Sequence, residues 1–328
     1  MARLVPPSER GAALLTVLLI VAVVSVLAAT GLERLNLSIR LAANAASVSQ
    51  ARGYAVAAED VALIRIDDQL ARQKTELTLP PELNGQSFPV PLPSGIATAT
   101  VTDGGNCFNL NGLVQKSSDG GYTANPPAIA QFARLMVLIG IGAQDAAAVS
   151  ASATDWIDSD TTPLPGGAED EVYTQQRPAY RAANTLMASP SELRAVAGVT
   201  PALYARLRPF VCALPMAELP LIDVNTLTPE QAPLIAMLLD RMTVEQARAA
   251  LAARPPQGFE SPTAFWALPA LSGTTGGPAT IGRTSVSTRW FRLGIDVTMP
   301  GATFHQTSLI DARQPPARLV ARSWGAES

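Results

Sequence analysis

The most hydrophobic part of the chain lies near its N-terminus. From Ala12 to Leu32 every residue is apolar or glycine, except Thr16, Ser25 and Thr30. At 1.5 Å per residue, about 20 such residues in a helix cross a hydrocarbon core of roughly 30 Å. This pattern predicts a single-pass transmembrane helix over residues 12–32.

The hydrophobic periodicity continues beyond this span. No proline occurs between Ala12 and Leu79, and apolar residues recur at helical spacing, namely Leu35, Ile39, Ala42, Ala46, Tyr54, Ala58, Val61, Ile64 and Leu70. We predict one helix of roughly 90 Å from Ala12 to Lys74. A plain membrane anchor followed by separate soluble helices is the alternative.

Period-two patterns, typical of strands, occur near both ends of the remaining chain. Ile96–Val101 and Cys107–Leu113 flank a turn at residues 103–106 and are expected to form a hairpin. The other predicted strands are Arg289–Met299, Thr303–Asp311 and Arg318–Trp324. The proline-rich segment Pro80–Pro93 is predicted to be a loop, and Thr274–Pro278 a linker that returns to the sheet. Because the residues between these groups have a mostly helical pattern, we predict an α+β head: an antiparallel sheet on the long helix, with a large all-helical insertion.

Composition excludes many catalytic sites. The chain has one histidine, His305, and two cysteines, Cys107 and Cys212, which is too few for a two-histidine zinc protease site or a four-cysteine module. No nucleophile-elbow motif or phosphate-binding glycine loop is present. An enzyme is therefore not expected, and an anchored calcium-dependent hydrolase is kept only as a remote alternative.

The residues before the hydrophobic segment indicate how the chain is processed. Arg3 and Arg10 place the N-terminus in the cytoplasm by the positive-inside tendency. A secretory signal cut near Ala29 would remove the helix. However, Gly11 followed by AALLTVLLIVAVV resembles the leader of type IV prepilins, which prepilin peptidase cuts before the helix, leaving Ala12 as the first residue, in these families often methylated.

Further stretches make the resemblance more specific. They are CFNLNGLV (107–114), TDWIDSD (154–160), GGAEDEVY (166–173), YRAAN (180–184), SELRAVAGVTPALYARLRPFV (191–211) and DVNTLTPE (223–230). With the leader, they resemble the GspK family, the K-type minor pseudopilins of bacterial type II secretion systems. The resemblance implies a pilin-like head with an inserted helical domain. We divide the chain into a leader (1–11), a transmembrane segment (12–32), the first part of the head (33–113), the insertion (114–273) and the C-terminal strands (274–328).

Thr16 departs from the usual prepilin pattern. Most prepilins have a glutamate five residues into the mature chain, where Thr16 stands here. A carboxylate inside a membrane is costly unless a cation meets it. In the family that cation is the terminal amine of a neighbouring subunit, so a neutral residue suits a subunit that has no predecessor. Thr16 therefore predicts a position at the tip of the fibre.

Acidic residues are concentrated between residues 155 and 171. Asp158, Asp160, Thr162, Leu164 and Glu169 have the spacing with which a calcium loop gathers oxygen ligands, although Pro163 stands where an EF-hand needs glycine. A solvated acidic loop is the alternative. The resemblance implies a structural Ca²⁺ site, and the matching residues are Asp155, Asp158, Asp160, Glu169 and Asp170. Asn184 is a weaker candidate, and Trp156 is expected to be a core anchor.

Two segments resemble helix-hairpin-helix units, which bind DNA phosphates in some proteins. They are Leu193–Leu207 and Asp223–Leu251. The formal net charge is −3 and no lysine follows Lys116, whereas DNA affinity depends on clustered cations. Nucleic acid is therefore not an expected partner, and a membrane-anchored, periplasmic DNA-binding protein remains the alternative function.

The cysteines are expected to pair. An exported head lies in an oxidising compartment, where lone cysteines tend to form disulfides. A Cys107–Cys212 bridge is favoured over two buried thiols.

The predicted function follows from the resemblance. We expect a minor pseudopilin in the bacterial inner membrane, with its C-terminal head in the periplasm, that initiates assembly at the pseudopilus tip and supports protein export across the outer membrane. Expected partners are prepilin peptidase, the major pseudopilin and the sister minor pseudopilins of the I and J types. Secreted substrates and the outer-membrane channel are further candidates.

Overall fold

The computed structural model describes residues 7–72, 79, 84–274 and 277–325. The helices are α1 Pro7–Arg72, α2 Pro126–Leu138, α3 Ala143–Asp155, α4 Asp170–Tyr173, α5 Pro201–Leu207, α6 Pro233–Ala236, α7 Val244–Ala252, α8 Pro262–Trp266 and α9 Pro278–Ile281. The strands are β1 Ser87–Leu92, β2 Gly95–Asp103, β3 Phe108–Asn109, β4 Val114–Lys116, β5 Tyr122–Ala124, β6 Val211–Cys212, β7 Ile222–Asp223, β8 Thr284–Ser285, β9 Trp290–Met299, β10 Ala302–Asp311 and β11 Arg318–Trp324.

Helix α1 is continuous over 66 residues, which at 1.5 Å per residue is roughly 100 Å. The single helix predicted from the periodicity is thereby confirmed as far as Arg72, and the alternative of separate helices is wrong. Large apolar side chains from Leu14 to Leu32 are exposed, as expected of a segment that lipid would cover. Within the described ranges, α1 is the helix that is long and apolar enough to cross a membrane.

The head contains a five-stranded antiparallel sheet in the order β1-β2-β9-β10-β11. The predicted C-terminal strands are confirmed, with bounds that differ by one residue at most. Small residues of α1 such as Ala51, Ala55 and Ala58 pack against the sheet, because side chains of this size let the helix approach the strands closely. On the sheet side the cluster includes Phe291 and Ile295 of β9.

The hairpin prediction was wrong. The turn at Pro93 and Ser94 joins β1 to β2, whereas β3 leaves the sheet and pairs in parallel with β6. The segment predicted to be a proline-rich loop thus contains a strand. Pro89 and Pro91 are two residues apart, so the N–H groups they lack belong to one side of β1, and an edge strand can leave that side unpaired.

A buried carboxylate on α1 binds side chains of β10 and β11, at one edge of the sheet. Glu59 is fully buried and forms an ion pair with Arg322 of β11, together with hydrogen bonds from Gln306 and Ser308 of β10. Burial alone would raise the pKa of Glu59, but the hydrogen bonds from Arg322 and Ser308 hold it below its usual value. This network fixes the rotation of α1 relative to the sheet.

The mostly helical insertion lies between two neighbouring strands of the sheet. The chain leaves after Asp103 of β2 and returns at Trp290 of β9, and these strands are hydrogen-bonded to each other. The insertion has its own hydrophobic core, in which the rings of Phe108 and Phe132 stack at 4.8 Å. Three short ladders, β3–β6, β4–β5 and β7–β8, accompany the helices.

The core of the insertion extends beyond residues 114–273 on both sides. Leu110 and Leu113 belong to it before this range, and Ile281 and Val286 pack against it after the range. Residues 275 and 276 of the predicted linker lie outside the described residues. The exact domain boundaries therefore stay predictions.

A disulfide joins Cys107 to Cys212, with 5.8 Å between the Cα atoms. It lies in a small hydrophobic cluster with Leu214 of the insertion and Trp290 of the sheet. The bridge thus ties the insertion to its own starting point, directly beside the sheet.

Candidate functional site

The loop that follows α3 contains the predicted acidic residues, and Asp155 at the end of α3 shapes it. Its carboxylate accepts hydrogen bonds from the backbone N–H of Leu164, at 3.0 and 3.2 Å from the two oxygens. A Cβ atom on Gly167 would lie 1.9 Å from Oδ2 of Asp155, so only glycine fits there. Asp155 therefore holds the loop in its folded path.

Three carboxylates converge inside this loop. Asp158, Asp160 and Glu169 each offer an oxygen, and these oxygens lie within 4.8 Å of one another. Asp158 is 2% and Glu169 5% exposed, whereas Asp160 is exposed. Oδ1 of Asp158 and both carboxylate oxygens of Glu169 are buried without a hydrogen-bond partner among the described residues.

The clustering changes how these acids titrate. Burial, followed by the nearby charges of Asp160, Asp155 and Glu169, raises the pKa of Asp158 to about 7. Burial and the neighbouring aspartates likewise raise the pKa of Glu169 to about 7. Burial raises the pKa of Asp155 to about 6 despite its backbone hydrogen bonds. Close carboxylates repel one another unless protons or a cation neutralise them.

Asn184, in the segment that follows α4, lies beside the same cluster. Its backbone has φ of 46°, which is uncommon for a residue other than glycine, and its N–H donates to the carbonyl of Trp156 at 3.0 Å. The side-chain amide lies 3.4 Å from the carbonyl oxygen of Asp160. Its Oδ1 is buried without a partner, like the oxygens of Asp158 and Glu169. Asn184, the weaker candidate of the sequence analysis, thus lies beside Asp160 and has an unpartnered oxygen.

Asp170 has a different environment. Its Oδ1 accepts a hydrogen bond from the N–H of Ala182 at 3.0 Å, and its Oδ2 lies 3.6 Å from Nη1 of Arg181. The structure therefore brings together Asp158, Asp160 and Glu169, while Asp155 and Asp170 hold the backbone around them.

An aromatic cluster lies next to the acidic loop in the sequence and in the fold. Trp156 is 6% exposed and forms edge-on contacts with Tyr173 at 5.2 Å and Tyr180 at 6.2 Å. The prediction that Trp156 is a core anchor is confirmed. The contact between Trp156 and Tyr173 brings the two ends of the loop together.

The donor set fits a hard cation. The three carboxylates and the amide of Asn184 offer oxygen atoms, and the loop from Asp155 to Asp170 contains no histidine or cysteine, the side chains that favour zinc or copper. Ca²⁺ takes six to eight oxygen ligands from carboxylates, amides and carbonyls. The buried, unpartnered oxygens of Asp158, Glu169 and Asn184 are suitable ligands, with Asp160 at the open side.

Three arginines, one within the helix-hairpin-helix-like segments and two outside them, bind backbone carbonyls of the protein itself. Arg134 donates to the carbonyls of Ala236, Leu239 and Met242. In the same way Arg254 donates to the carbonyls of Val224, Asn225 and Leu227, and Arg206 to those of Ile139 and Gly140. The donor groups of these arginines are thus used in hydrogen bonds within the protein.

The processing and tip residues lie at the start of α1. Gly11 and Ala12 are part of its helical backbone, and residues 1–6 of the predicted leader lie outside the described residues. Thr16 is exposed, and its hydroxyl donates to the carbonyl of Ala13 at 2.8 Å. The threonine thus satisfies its own polar group within the helix.

Comparison with known proteins gives a consistent result. Two family models described as "Type II secretion system (T2SS), protein K" match residues 106–216 and 222–287. Type II secretion system protein K of Klebsiella pneumoniae is 38% identical, and that of Pectobacterium carotovorum is 35% identical, each match covering 97% of both chains. A chain in the crystal structure of the GspK–GspI–GspJ complex from enterotoxigenic Escherichia coli is similar with a TM-score of 0.73 and 31% identity, over 85% of this chain and 97% of that one. The long anchor helix, the pilin-like sheet and the inserted helical domain with its acidic loop therefore belong to a minor pseudopilin, and this chain is a member of the type II secretion system protein K family.

Proposed function

We propose that this chain is the tip subunit of a periplasmic pseudopilus, where it joins sister minor pseudopilins of the I and J types and initiates assembly. The observation that carries the proposal is the likeness, over 85% of this chain, to a chain of the GspK–GspI–GspJ complex. In this arrangement α1 anchors the subunit in the inner membrane and the head lies in the periplasm. The assembled fibre then supports protein export, with the major pseudopilin following below the tip.

The neutral residue near the start of the mature helix supports the tip position. Replacing Thr16 by glutamate would place a carboxylate in the membrane with no neighbouring amine to meet it. An acid costs about 2.5–3.5 kcal/mol at the centre of a spanning helix, and the cost is smaller at Thr16, which lies near one end of the span. We expect the unchanged full chain to co-purify with its I- and J-type partners. We expect secretion to be about tenfold weaker with the Thr16→Glu variant.

Thr16→Ala is the matched control, because it keeps the position neutral. Secretion is measured in a strain that lacks the gene and receives each variant at equal protein level. If Thr16→Glu secretes as well as Thr16→Ala, and deletion of the gene also leaves secretion unchanged, the tip role is wrong.

Processing follows from the leader. We expect prepilin peptidase to cleave between Gly11 and Ala12, so that mass spectrometry of the membrane-extracted protein finds Ala12, methylated or not, as the first residue. Gly11→Val is expected to leave the leader in place, since a bulkier side chain before the cleaved bond blocks the peptidase. A mature chain that begins after Ala29 would instead indicate a secretory signal.

We also propose that the acidic loop holds a structural Ca²⁺ ion. Asp158, Asp160 and Glu169 would be the carboxylate ligands and Asn184 an amide ligand, while Asp155 and Asp170 position the loop. The support is the set of buried, unpartnered oxygens, which a hard cation would satisfy. The ion would stabilise a segment rich in glycine and proline that buries little apolar area of its own.

A further inference from the structure

A second group of acids lies at the joint between the sheet and the insertion. Asp103 is the last residue of β2, where the chain leaves the sheet, and Asp223 is the last residue of β7 in the insertion. The hydroxyl of Thr226 donates to Oδ2 of Asp103 at 2.7 Å. The amide of Asn106 donates to the same hydroxyl at 2.7 Å and to the backbone carbonyl of Asp223 at 3.1 Å. The two acids therefore belong to one hydrogen-bonded network.

The same network ties the beginning of the sheet to the insertion. The amide of Asn84, which precedes β1, donates to the carbonyl of Thr226 at 2.8 Å and accepts from the N–H of Asp103 at 3.1 Å. The side chain of Asn106 accepts from the N–H of Asp223 at 2.9 Å. A change in the charge of either acid therefore acts on the contacts that hold the insertion against the sheet.

One carboxylate oxygen in this network has no partner. Asp223 is 1% exposed, and its Oδ1 accepts from the N–H of Asn225 at 2.8 Å, but its Oδ2 is buried without a hydrogen-bond partner among the described residues. The hydroxyl of Thr226 has a single proton, and its shorter contact directs that proton to Asp103. A buried carboxylate oxygen without a donor is unfavourable, whereas a protonated carboxyl has an O–H group of its own.

Arg254 is the cation whose charge acts on Asp223. Its Nη1 already donates to three backbone carbonyls, those of Val224, Asn225 and Leu227. On the other side of the network, Asp103 lines a cavity of about 370 Å³ whose other charged residues are Glu218, Arg289 and Arg313. Arg313 is paired with Asp311 at 2.8 Å. The positive charges around the two acids are thus engaged elsewhere or lie towards the cavity.

The surroundings favour the protonated form of both acids. Burial, followed by the charge of Asp103, raises the pKa of Asp223 to about 7. Burial also raises the pKa of Asp103, although Thr226 and Gly105 donate hydrogen bonds to it. Neighbouring carboxylates resist simultaneous ionisation, and their titration is a property of the pair.

We propose that Asp103 and Asp223 hold one proton between them at the joint, and that its loss at alkaline pH loosens the attachment of the insertion to the sheet. With the proton in place, the orphaned oxygen of Asp223 becomes a neutral O–H group. Without it, two negative charges repel each other within the network that Thr226 and Asn106 hold together. The joint is then a pH-sensitive device within the fold, separate from the acidic loop and from the function proposed above.

Hydrogen exchange followed by mass spectrometry measures the loosening directly. The full chain in a zwitterionic detergent is compared at pH 6 and pH 9, with rates corrected for the intrinsic effect of pH on amide exchange. We expect peptides that contain residues 103–106 and 223–226 to exchange at least about tenfold faster at pH 9 after this correction. Peptides from the β9–β10 ladder should keep their corrected rates.

Variants identify the titrating group. An aspartate in the unfolded chain has a pKa near 4, so the folded state binds more protons between about pH 4 and 7 and the folding equilibrium constant falls as pH rises through this window. Asp223→Asn imitates the neutral form, so its folding equilibrium constant should fall at least about tenfold less between pH 5 and pH 8 than that of the unchanged chain. The comparison cancels the titration of the acidic loop, which both proteins share.

Two further variants complete the test. Asp103→Asn neutralises the other member of the pair and should likewise remove the pH dependence of exchange, which keeps the proposal testable if Asp223→Asn fails to fold. Asp240→Asn, which changes an exposed aspartate outside the network, is the matched control and should respond to pH as the unchanged chain does.

Three results would overturn the proposal. Corrected exchange rates at residues 103–106 and 223–226 that are equal at pH 6 and pH 9 would show that the joint does not respond to pH. A full pH response in the folded variants with asparagine at position 103 or 223 would exclude the pair as its source. If sodium or calcium ions restore slow exchange at pH 9, the two acids bind a cation and not a proton.

Discussion

Removing the Cys107–Cys212 disulfide is expected to destabilise the head by about 4–5 kcal/mol, since the bridge closes a loop of roughly 100 residues and restricts the unfolded chain accordingly. The loss should be measured as the free energy of unfolding in guanidinium chloride, using the Cys107→Ala, Cys212→Ala double variant. Alanine keeps the cluster with Leu214 and Trp290 apolar, so the comparison isolates the covalent link.

Reduction of the unchanged chain is the companion measurement. Dithiothreitol should lower its stability towards that of the double variant and leave the double variant unaffected. A difference below about 0.5 kcal/mol between the bridged chain and the double variant would show that the link does not restrict the unfolded state as the loop length implies.

The melting temperature of the full chain in detergent is expected to be about 5–10 °C lower without calcium than with calcium at about 100 times its Kd. The reason is that a ligand bound only by the folded state stabilises that state by mass action. EDTA supplies the calcium-free state, and titration calorimetry measures the binding heat. If EDTA leaves the melting temperature unchanged and calorimetry finds no heat, the loop is a solvated acidic loop and holds no calcium.

The calcium effect should grow with pH. In the calcium-free protein the pKa values of Asp158 and Glu169 are raised to about 7 and that of Asp155 to about 6, whereas in the unfolded chain they lie near 4. Between about pH 4 and 7 the folded state therefore binds more protons than the unfolded state, so its stability falls as pH rises. Calcium replaces those protons, and EDTA should lower the melting temperature more at pH 8 than at pH 5.

Asp158→Asn tests the origin of this pH dependence. It removes one of the repelling charges, so the calcium-free variant should be at least as stable at pH 8 as the unchanged chain, and it should respond less to calcium. Asp240→Asn, which changes an exposed aspartate away from the loop, should keep the full response. A full calcium response from Asp158→Asn would exclude Asp158 as a ligand.

Long periodic segments were predicted well from the sequence. Helix α1 and strands β9 to β11 have many residues in one repeating pattern, and the hydrophobic face of β9 matches the core that the structure shows. In contrast, β1 was missed because prolines in a sequence usually indicate a loop, and only its position at the sheet edge lets Pro89 and Pro91 occupy a strand. The ladders β3–β6 and β7–β8 have two residues in each strand, which is too short for a periodic pattern.

The candidate site was predicted in composition but not in geometry. The acidic residues and their spacing are visible in the sequence. Which carboxylates face one another and which accept hydrogen bonds from the backbone depends on burial and on contacts with distant residues, and the sequence does not show this. Gly167 was overlooked as a positioning residue, although the glycine pair at 166–167 within an acidic segment was a usable signal. The left-handed backbone of Asn184 accompanies a hydrogen bond from its N–H to the carbonyl of Trp156, a contact between distant parts of the chain.

The place of the insertion between β2 and β9 has a consequence for the order in which the molecule is completed. Asp103 pairs with Phe291, so the central ladder of the sheet needs residues from both ends of the head. Until β9 is synthesised, the sheet side of α1 has only the β1–β2 hairpin to cover it, and a two-stranded hairpin is marginally stable at best. The insertion can build its core meanwhile, from residues that are already available. A chain that ends before its last strands would therefore have a folded insertion but lack the sheet that covers α1.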